Sequence, residues 1–234
     1  MTIDAVLFDK DGTLFDFRAS WSGWLHDLVI GLAAGDRACA KALAAALGYD
    51  MAARDFAPDS IVIAGTSREA AEVAAPVLSG WSVDALQAHL EAAAALVSMV
   101  PAVPLIPLLT DLRTHVAHLG VATNASAAEA TAHLHTAGLG TAFDFVAGCD
   151  SGFGAKPGPG MCTAFADAVG LAPGRIVMVG DSLHDLKAGR DAGMRVVAVL
   201  TGLATRADLA PHADAVLDDI GALPAWLAAE RSPG

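Results

Sequence analysis

The fold is decided by the stretch Val6-Leu7-Phe8-Asp9-Lys10-Asp11-Gly12-Thr13-Leu14. Its first three residues have the β-branched and aromatic character of a buried strand, and the glycine that follows indicates a turn. Side chains at positions i and i+2 of an extended chain point the same way, so Asp9 and Asp11 are expected to share one site at the strand's end. Two carboxylates this close repel each other unless a cation or a shared proton offsets their charge. Because magnesium prefers oxygen ligands, the pair predicts a Mg²⁺ site.

The same pattern has simpler explanations. Asp-x-Asp-Gly also occurs in ordinary turns and in calcium loops. A calcium loop of the helix-loop-helix type needs further oxygen ligands and a downstream glutamate, whereas Leu14-Phe15-Asp16-Phe17 follows here. Lys10 lies between the two acids, and on a strand it is expected to point away from them. It is expected to tune its surroundings or to pair with a neighbour, and not to react.

Composition limits the possible partners. The chain has 234 residues, 54% of them hydrophobic, which is enough for one sizeable domain with a smaller companion. Its 14 basic and 26 acidic residues give a net charge of −12. Such a surface repels nucleic acid and anionic lipid, so neither is expected as a partner. The expected partner is a small metabolite, and either a monomer or a homodimer is compatible with the sequence.

Several features predict a cytoplasmic protein. The cysteines Cys39, Cys149 and Cys162 are scattered and lack metal-ligand spacing, as expected of reduced thiols. No basic and apolar export segment precedes the first strand. Residues 92–110 carry no charge over a length that suggests a membrane span, but three prolines interrupt them. We therefore expect no membrane-spanning segment.

Residues 16–104 are predicted to form a small helical cap domain inserted after the first strand. Apolar residues recur at helical spacing between Trp21 and Leu32, and an alanine-rich run follows from Ala38 to Leu47. Residues 51–65 are expected to be irregular. Two further helices are predicted at Ser67–Ala75 and Val83–Val97, the second capped by Ser82 or Asp84.

Residues 1–15 and 105–234 are predicted to form a Rossmann-like catalytic core of the α/β class. Strands and helices alternate here, which argues for a parallel sheet with helices on both faces. The predicted helices are Leu108–His118, Ala127–Ala137, Met161–Val169, Leu183–Ala192 and one at the C-terminus. The predicted strands are Leu119–Asn124, Phe143–Ala147, Ile176–Val179, Arg195–Leu200 and Ala215–Leu217.

Polar residues follow three of the predicted core strands. They are Asp9 with Asp11, Thr123 with Asn124, and Asp181 with Ser182. The glycine-rich loop after a fourth strand contains Lys156, and Asp185 follows Asp181 at the start of a helix, where both side chains can lie on one face. Ligands of open parallel sheets bind at the carboxyl ends of the strands, so these residues are expected to meet.

Carboxylates, a hydroxyl and a lysine at one rim suit phosphoryl transfer. One carboxylate can attack phosphorus to form an acyl-phosphate, and a second can protonate the leaving oxygen and then activate water. Magnesium offsets the repulsion between an anionic nucleophile and an anionic substrate. A hydroxyl, backbone N–H groups and a lysine can hold the phosphoryl oxygens.

The order and wording of these motifs resemble the haloacid dehalogenase superfamily of phosphohydrolases. The resemblance covers Phe8-Asp9-Lys10-Asp11-Gly12-Thr13-Leu14, Val121-Ala122-Thr123-Asn124, Lys156-Pro157, and Gly180-Asp181 with Asp185. The insert lies where type-one caps of this superfamily lie. Asp-Gly-Thr-Leu-Phe-Asp, the Thr-Asn pair and the Lys-Pro-Gly-Pro loop are most similar to members of the phosphoglycolate phosphatase type, although Lys10 stands where an apolar or aromatic residue is commoner.

The resemblance assigns expected roles. It implies that Asp9 is the nucleophile and Asp11 the general acid and base. The implied phosphate-binding residues are Gly12, Thr123, Asn124 and Lys156. The implied magnesium ligands are Asp9, Asp11 through its backbone carbonyl, Asp181 and Asp185. Asp185 would either bind the metal directly or hold one of its ligands in place. The predicted protein is a Mg²⁺-dependent phosphatase that acts on a small phosphorylated metabolite, such as a phosphoglycolate-like compound or a sugar phosphate.

Other functions remain as alternatives. A halide-releasing hydrolase of the same fold would not need Asp11, and a phosphonate-cleaving relative would need a cap lysine, for which only Lys41 is available. A phosphomutase shares the core and is harder to exclude. A phospho-accepting signalling domain would be about half as long and would lack both the cap and the late acidic pair. A non-catalytic binding protein would be expected to have lost a key position.

The remaining polar residues receive weaker predictions. Asp16, Arg18, Arg54 and Arg68 are candidates for substrate contact from the cap. Trp21 and Trp24 are expected to pack within the cap or to line the entrance. His184 is expected to be a surface neighbour of the site, and His115, His118, His133 and His135 are expected to face solvent.

Overall fold

A computed structural model describes residues 2–231 of the chain. The strands are β1 (Ala5–Phe8), β2 (Tyr49–Asp50), β3 (Asp55–Phe56), β4 (His118–Ala122), β5 (Phe145–Ala147), β6 (Ile176–Gly180), β7 (Arg195–Val199) and β8 (Ala215–Leu217). The helices are α1 (Phe17–Ala33), α2 (Arg37–Leu47), α3 (Ile61–Ala64), α4 (Ser67–Ala74), α5 (Val83–Ala94), α6 (Leu105–His115), α7 (Ala127–Thr136), α8 (Gly160–Val169), α9 (Leu183–Asp191), α10 (Arg206–Leu209) and α11 (Leu223–Arg231).

Six strands form a parallel sheet in the order β5-β4-β1-β6-β7-β8. Every residue of β1 and β6 is buried, as expected of central strands covered on both faces. The chain runs outward from β1 to β5 and then returns to β6 on the other side of β1. This reversal of strand order creates a crevice at the carboxyl end of β1, where ligands of open α/β sheets bind.

Helices cover both faces of this sheet. On one face, Val6 and Phe8 of β1 pack in a cluster with residues of α6 and α11. On the other face, Ala5 and Leu7 pack with residues of α8 and α9. Neighbouring residues of β1 thus serve opposite clusters, which is the two-residue period of a strand. The predicted α/β class, with a Rossmann-like parallel sheet covered on both faces, is confirmed.

The segment between β1 and α6 has a hydrophobic cluster of its own. Its buried residues come from α1, α2, α4 and α5, with Tyr49 and Phe56 from the short antiparallel pair β2–β3. Residues 51–65, expected to be irregular, therefore contain β3 and α3. Sequence periodicity cannot detect a two-residue strand or a single helical turn.

Side chains that accept hydrogen bonds from backbone N–H groups stabilise the first turn of several helices in the cap domain. The Asp16 carboxylate accepts from Ala19 N–H at 2.8 Å at the start of α1. Ser82 caps α5, which decides between the two predicted caps. At α4, Thr66 and Glu69 form a reciprocal capping box.

Two chain segments connect the cap to the core. Asp16 N–H donates to Val100 O at 2.8 Å, and Ala102 N–H donates to Leu14 O at 3.0 Å. The outgoing and returning segments thus run side by side. The domain boundaries at residues 15/16 and 104/105 stay a prediction, and the two hydrogen bonds lie close to them.

Most predicted core elements differ from the observed ones only at their ends. The largest shift is in α6, which runs from Leu105 to His115 and so begins three residues before the predicted Leu108. The charge-free segment 92–110 contains the end of α5, a connection and the start of α6. Among the described residues, no helix has the length and apolar character that crossing a membrane requires.

Candidate active site

The site lies where the carboxyl ends of three neighbouring strands meet. Phe8 of β1 is paired with Val121 of β4 and with Val179 of β6. The residues that follow these strands, Asp9 among them, are therefore neighbours at one edge of the sheet. The register of the sheet thus brings together the separate sequence motifs, as predicted.

Three buried carboxylates form the centre of the site. Asp9, Asp181 and Asp185 each offer an oxygen, and these oxygens all lie within 4.8 Å of one another. The three residues are 6%, 4% and 1% exposed. Carboxylates gathered in so little water need a compensating cation.

Lys156 supplies one positive charge to this cluster. Its Nζ donates to Asp9 Oδ1 at 2.5 Å, to Asp185 Oδ1 at 2.6 Å and to the carbonyl oxygen of Ala122 at 2.8 Å. These three acceptors use all the N–H bonds of the ammonium. Three ionised carboxylates and one ammonium have a net charge of −2, which one divalent cation would neutralise.

Burial makes the charged forms of these acids costly. Loss of water raises the pKa of Asp9 from 3.8 to about 7, with Lys156 opposing the rise and Asp185 adding to it. Burial also raises the pKa of Asp181 well above 3.8, and the neighbouring charge of Asp9 adds to this effect. Burial lowers the pKa of Lys156, but the carboxylates of Asp185 and Asp9 outweigh it and raise that pKa. The donor set of oxygen ligands with excess negative charge fits Mg²⁺.

Two glycines allow the chain to approach Asp181 closely. Gly12 has φ = +85°, and a Cβ atom at this position would collide with the Asp181 carboxylate. A Cβ at Gly202 would collide with the same carboxylate from the other side. Thr13 Oγ1 lies 3.4 Å from Asp181 Oδ1. Gly12 is thus needed to shape the site, while its predicted phosphate contact stays a prediction.

Asp185 has two functions in the fold. Its Oδ2 accepts from Ser182 Oγ at 2.6 Å and from Ser182 N–H at 3.1 Å, while Ser182 caps α9 in return. Its Oδ1 accepts from Lys156. The residue is therefore both a helix-capping acid and a member of the carboxylate cluster, as the sequence allowed.

Thr123 and Asn124 follow β4 and line the same cleft. The Thr123 hydroxyl accepts from Ala125 N–H at 3.2 Å, so its own proton is free to turn toward a ligand. The Asn124 amide donates to the carbonyl oxygens of Ala64 and Lys156 and accepts from Lys156 N–H. With both N–H bonds used, the Asn124 side chain holds the Lys156 loop and the cap, and its predicted contact with phosphate stays a prediction.

Asp11 stands outside the carboxylate cluster but faces the same cleft. Its Oδ1 accepts from Trp21 Nε1 of the cap at 2.9 Å, and its Oδ2 lies 2.9 Å from Lys10 Nζ. Because β1 ends at Phe8, the alternation of an extended chain does not continue through residues 9–11. The expectation that Lys10 points away from Asp11 is therefore wrong, whereas the expectation that it pairs with a neighbour is confirmed.

Lys10 is fully buried at the centre of a second charged group. Its Nζ lies 3.1 Å from Glu129 Oε1 and 2.9 Å from His133 Nδ1. His133 Nε2 lies 2.9 Å from the carbonyl oxygen of Ala94, at the end of cap helix α5. The group therefore connects Asp11, the core helix α7 and the cap.

The pKa values in this second group shift as its burial requires. Loss of water lowers the pKa of His133 from 6.5 to about 4, and the Lys10 charge adds to this. Burial raises the pKa of Glu129, although Lys10 opposes the rise. Burial lowers the pKa of Lys10, but Asp11 and Glu129 outweigh it and raise that pKa. His133 therefore enters the group as a neutral acceptor for the ammonium.

Sequence reasoning missed Glu129 and misplaced His133. Both are buried on α7, so the expectation that His133 faces solvent is wrong. A signal was present, because Glu129 and His133 are four residues apart and share a helix face. The prediction of a helix here does not specify which of its faces packs against the core. The sequence around Lys10 does not specify which residues pair with it.

A cleft of about 110 Å³ lies between the carboxylate cluster and the cap. Trp21 and Trp24 both line it, as one of the two predicted arrangements required. His184 also lines it, half-buried, with Nδ1 3.3 Å from the carbonyl oxygen of Ala64. The cleft is thus bounded on one side by core acids and on the other by cap helices.

The four polar cap residues proposed for substrate contact lie elsewhere. Among the described residues that line the cleft, none is Asp16, Arg18, Arg54 or Arg68. Arg18 pairs with Asp55 at 2.9 Å, and Asp16 caps α1. Arg68 bonds to acids of its own surface, Glu72 and Asp84. The structure thus places these four residues outside the cleft lining, and their contact with substrate stays a prediction.

Comparison with known proteins gives a consistent result. Residues 3–193 match the family described as haloacid dehalogenase-like hydrolase. The chain is 30% identical to the phosphoglycolate phosphatase of Rhodospirillum rubrum over 95% of its own length and 90% of that protein. It is 36% identical to a protein of Dickeya dadantii named "Probable phosphatase IndB" over 120 residues, which span 49% of this chain and 52% of that protein. The structure of CbbY from Rhodobacter sphaeroides in complex with phosphate is similar with a TM-score of 0.66 at 23% identity, covering 95% of this chain and 96% of that one.

Proposed function

The chain belongs to the haloacid dehalogenase-like hydrolases, and from this premise we propose that it is a Mg²⁺-dependent phosphatase of small phosphorylated metabolites. The similar phosphoglycolate phosphatase of Rhodospirillum rubrum supports phosphoric monoester hydrolysis as the reaction. The buried carboxylates with Lys156 support the chemistry. A phosphomutase of the same fold is the second candidate, because it would use the same core and differ mainly in its cap.

The observation that carries the proposal is the position of Asp9. Its carboxylate lies within 4.8 Å of two other acidic oxygens and bonds to Lys156, at the strand end that faces the cleft. A buried carboxylate with a purely structural role would be expected to have a cationic partner of its own. Asp9 instead shares its cation with Asp185, which leaves the cluster short of positive charge.

In the proposed reaction, a carboxylate oxygen of Asp9 attacks phosphorus and the bond to the leaving oxygen breaks. The leaving oxygen takes a proton from Asp11, which enters this step in its protonated form, and the product alcohol departs. Asp11, now a carboxylate, removes a proton from a water molecule that attacks the phosphorus of the aspartyl-phosphate. Inorganic phosphate is released, and Asp9 and Asp11 return to their starting states.

Other residues of the chain bind and orient in this scheme. The Thr123 hydroxyl can donate to a phosphoryl oxygen, and the positive charge of Lys156 beside Asp9 offsets the negative charge that the phosphoryl group brings. Trp21 and Lys10 fix the position of the Asp11 carboxylate. Asp9, Asp181 and Asp185 would hold Mg²⁺, with the backbone carbonyl of Asp11 as a further candidate ligand. Magnesium supplies positive charge that reduces repulsion between the substrate and the acids.

Substitution of the nucleophile tests this proposal. Asp9→Asn should abolish magnesium-dependent hydrolysis of p-nitrophenyl phosphate, because an amide is a poor nucleophile toward phosphorus. The matched control is Asp167→Asn, which makes the same change at an exposed position on α8 and should retain full activity. Circular dichroism of both variants verifies the fold. Undiminished turnover by a folded Asp9→Asn variant would refute the proposal.

A further inference from the structure

We propose that the substrate's leaving group is small, uncharged and apolar, and that the cap cleft excludes substrates with a second anionic group. This inference rests on the proposed phosphatase function and specifies its substrate class. It applies to the part of the substrate that leaves with the departing oxygen.

The cap wall of the cleft is formed largely by apolar side chains. From α1 it has two indoles, those of Trp21 and Trp24, and the side chains of Leu25 and Leu28. The turn that contains α3 adds Val62, and further apolar residues come from α2 and α5. An apolar group placed against this wall leaves water for an apolar surface, which favours binding.

The cleft has no cation available for a second anion. Among the described lining residues, Lys156 is the one lysine or arginine. All three of its N–H bonds already point to Asp9, Asp185 and the carbonyl oxygen of Ala122. The other ionisable side chains of the lining are the imidazole of His184 and several acids, Glu129 among them.

The basic residues of the cap lie outside the cleft lining, and two of them are paired with acids. Arg18 pairs with Asp55 on the outer side of α1, and Arg68 pairs with Glu72 four residues along its helix. The polar side-chain groups that the cap contributes to the lining are the hydroxyls of Thr66 and Ser67 and the uncharged indole N–H groups of Trp21 and Trp24, of which that of Trp21 donates to Asp11. Thr66 is committed to the capping box of α4.

A carboxylate or second phosphate on the leaving group would therefore lose its hydration without gaining a charged partner. Burial of an unpaired anion is far more costly than burial of a methyl group. The acids of the core would also repel it. A substrate like 2-phosphoglycolate is disfavoured for the same reason, and so is a bisphosphate of the kind that a mutase would form as an intermediate.

A pair of nearly isosteric esters tests the inference on the unmodified protein. Isobutyl phosphate and 2-phosphoglycolate differ in that a CH(CH₃)₂ group replaces the carboxylate. With Mg²⁺ at about pH 8, where an ordinary imidazole is neutral, kcat/KM for isobutyl phosphate should exceed that for 2-phosphoglycolate by at least about 10-fold. Equal rates, a preference for 2-phosphoglycolate, or no cleavage of isobutyl phosphate by an enzyme that cleaves p-nitrophenyl phosphate would overturn the inference.

A charge introduced into the cleft provides a second test. Ser67→Arg places a cation at the rim and should raise kcat/KM for 2-phosphoglycolate relative to isobutyl phosphate by about 10-fold. Ala42→Arg makes the same charge change on the exposed surface of α2, outside the cleft, and should leave the ratio unchanged. An equal effect of both variants would show that overall charge, and not the cleft, sets the preference.

The two proposals fail in different ways. If no phosphate ester is hydrolysed with Mg²⁺, p-nitrophenyl phosphate included, the phosphatase function itself is wrong. If p-nitrophenyl phosphate is hydrolysed but the acidic ester is preferred over its isostere, the function stands and the substrate class is wrong.

Discussion

The indole Nε1 of Trp21 donates a 2.9 Å hydrogen bond to Oδ1 of Asp11, which joins the first cap helix to the proposed general acid. The bond crosses from the cap to the core, because Trp21 is buried in the hydrophobic cluster of the cap whereas Asp11 follows β1 of the core. The cap therefore helps to fix the orientation of Asp11, together with Lys10 of the core.

Trp21→Phe removes this hydrogen bond and keeps an aromatic ring in the cap. We expect kcat to fall by about 10-fold, because a hydrogen bond to a charged group contributes roughly 1.5–3 kcal/mol. Trp24→Phe is the matched control, since the Trp24 ring packs at 5.1 Å from Trp21 and also lines the cleft, but does not bond to Asp11. Equal kcat values for the two variants would show that the bond to Asp11 does not affect catalysis.

Lys10→Met leaves Glu129 without its buried cation. We expect the free energy of unfolding to fall by about 3–5 kcal/mol, as for other buried ion pairs that lose one partner. Urea denaturation measures the change. Lys187→Met removes an exposed lysine paired with Asp191 on the surface and should cost less than about 1 kcal/mol. A similarly small cost for Lys10→Met would contradict the described network.

His133 should make stability depend on pH. Its pKa is lowered from 6.5 to about 4 in the folded protein, so between these values the unfolded chain binds a proton that the folded chain does not. Stability is therefore unaffected by this group above pH 6.5 and decreases as the pH falls toward 4. At about pH 5 the loss should be about 2 kcal/mol.

Replacement of the histidine checks the source of this dependence. His133→Gln should lose this component of the pH dependence of chemical denaturation, whereas His135→Gln, an exposed position on the same helix, should keep it. The same pH profile in both variants would exclude His133 as the cause.

Magnesium affinity should depend on the protonation of Asp9. The raised pKa of about 7 means that a proton competes with the metal at lower pH. The apparent Kd for Mg²⁺ should rise by up to about tenfold for each pH unit below about 7, and it should level off above that value. Calorimetric titration at several pH values measures this, and an affinity that does not change between about pH 5 and pH 8 would contradict it.

The sequence was sufficient to predict the parts of the molecule that depend on strand order. Val6–Phe8 and Ile176–Val179 are apolar runs that stop at acids, and the rules for parallel sheets bring such strand ends together. For that reason the proximity of Asp9, Asp181 and Lys156 was predictable, although they are far apart in the chain.

The parts that were not predicted depend on side-chain packing between elements. Lys10 was expected to point away from Asp11, because β1 was assumed to continue through residue 11, and the chain instead turns after Phe8. The burial of Glu129 and His133 follows from how α7 packs against the end of β1. No periodicity in one sequence specifies such a contact.

The cap shows the same limit. Its helices are recognisable from apolar spacing, yet Arg18 and Arg68 are candidates for substrate contact only because the cap is expected to contribute something to binding. Their acidic neighbours on the cap surface, such as Asp55, become visible only in three dimensions. The apolar character of the cleft could not be predicted, because it depends on which face of each cap helix turns toward the core.

The covalent step at Asp9 is the central claim, and trapping it is the most direct test. The protein is mixed with Mg²⁺ and a phosphorus-labelled phosphate ester, quenched with acid during turnover, digested and analysed by mass spectrometry. The account predicts a phosphoryl group on the peptide that contains Asp9, removable by hydroxylamine as an acyl-phosphate is, and absent from Asp9→Asn. Steady turnover with label on another residue, or with an active Asp9→Asn variant, would contradict it.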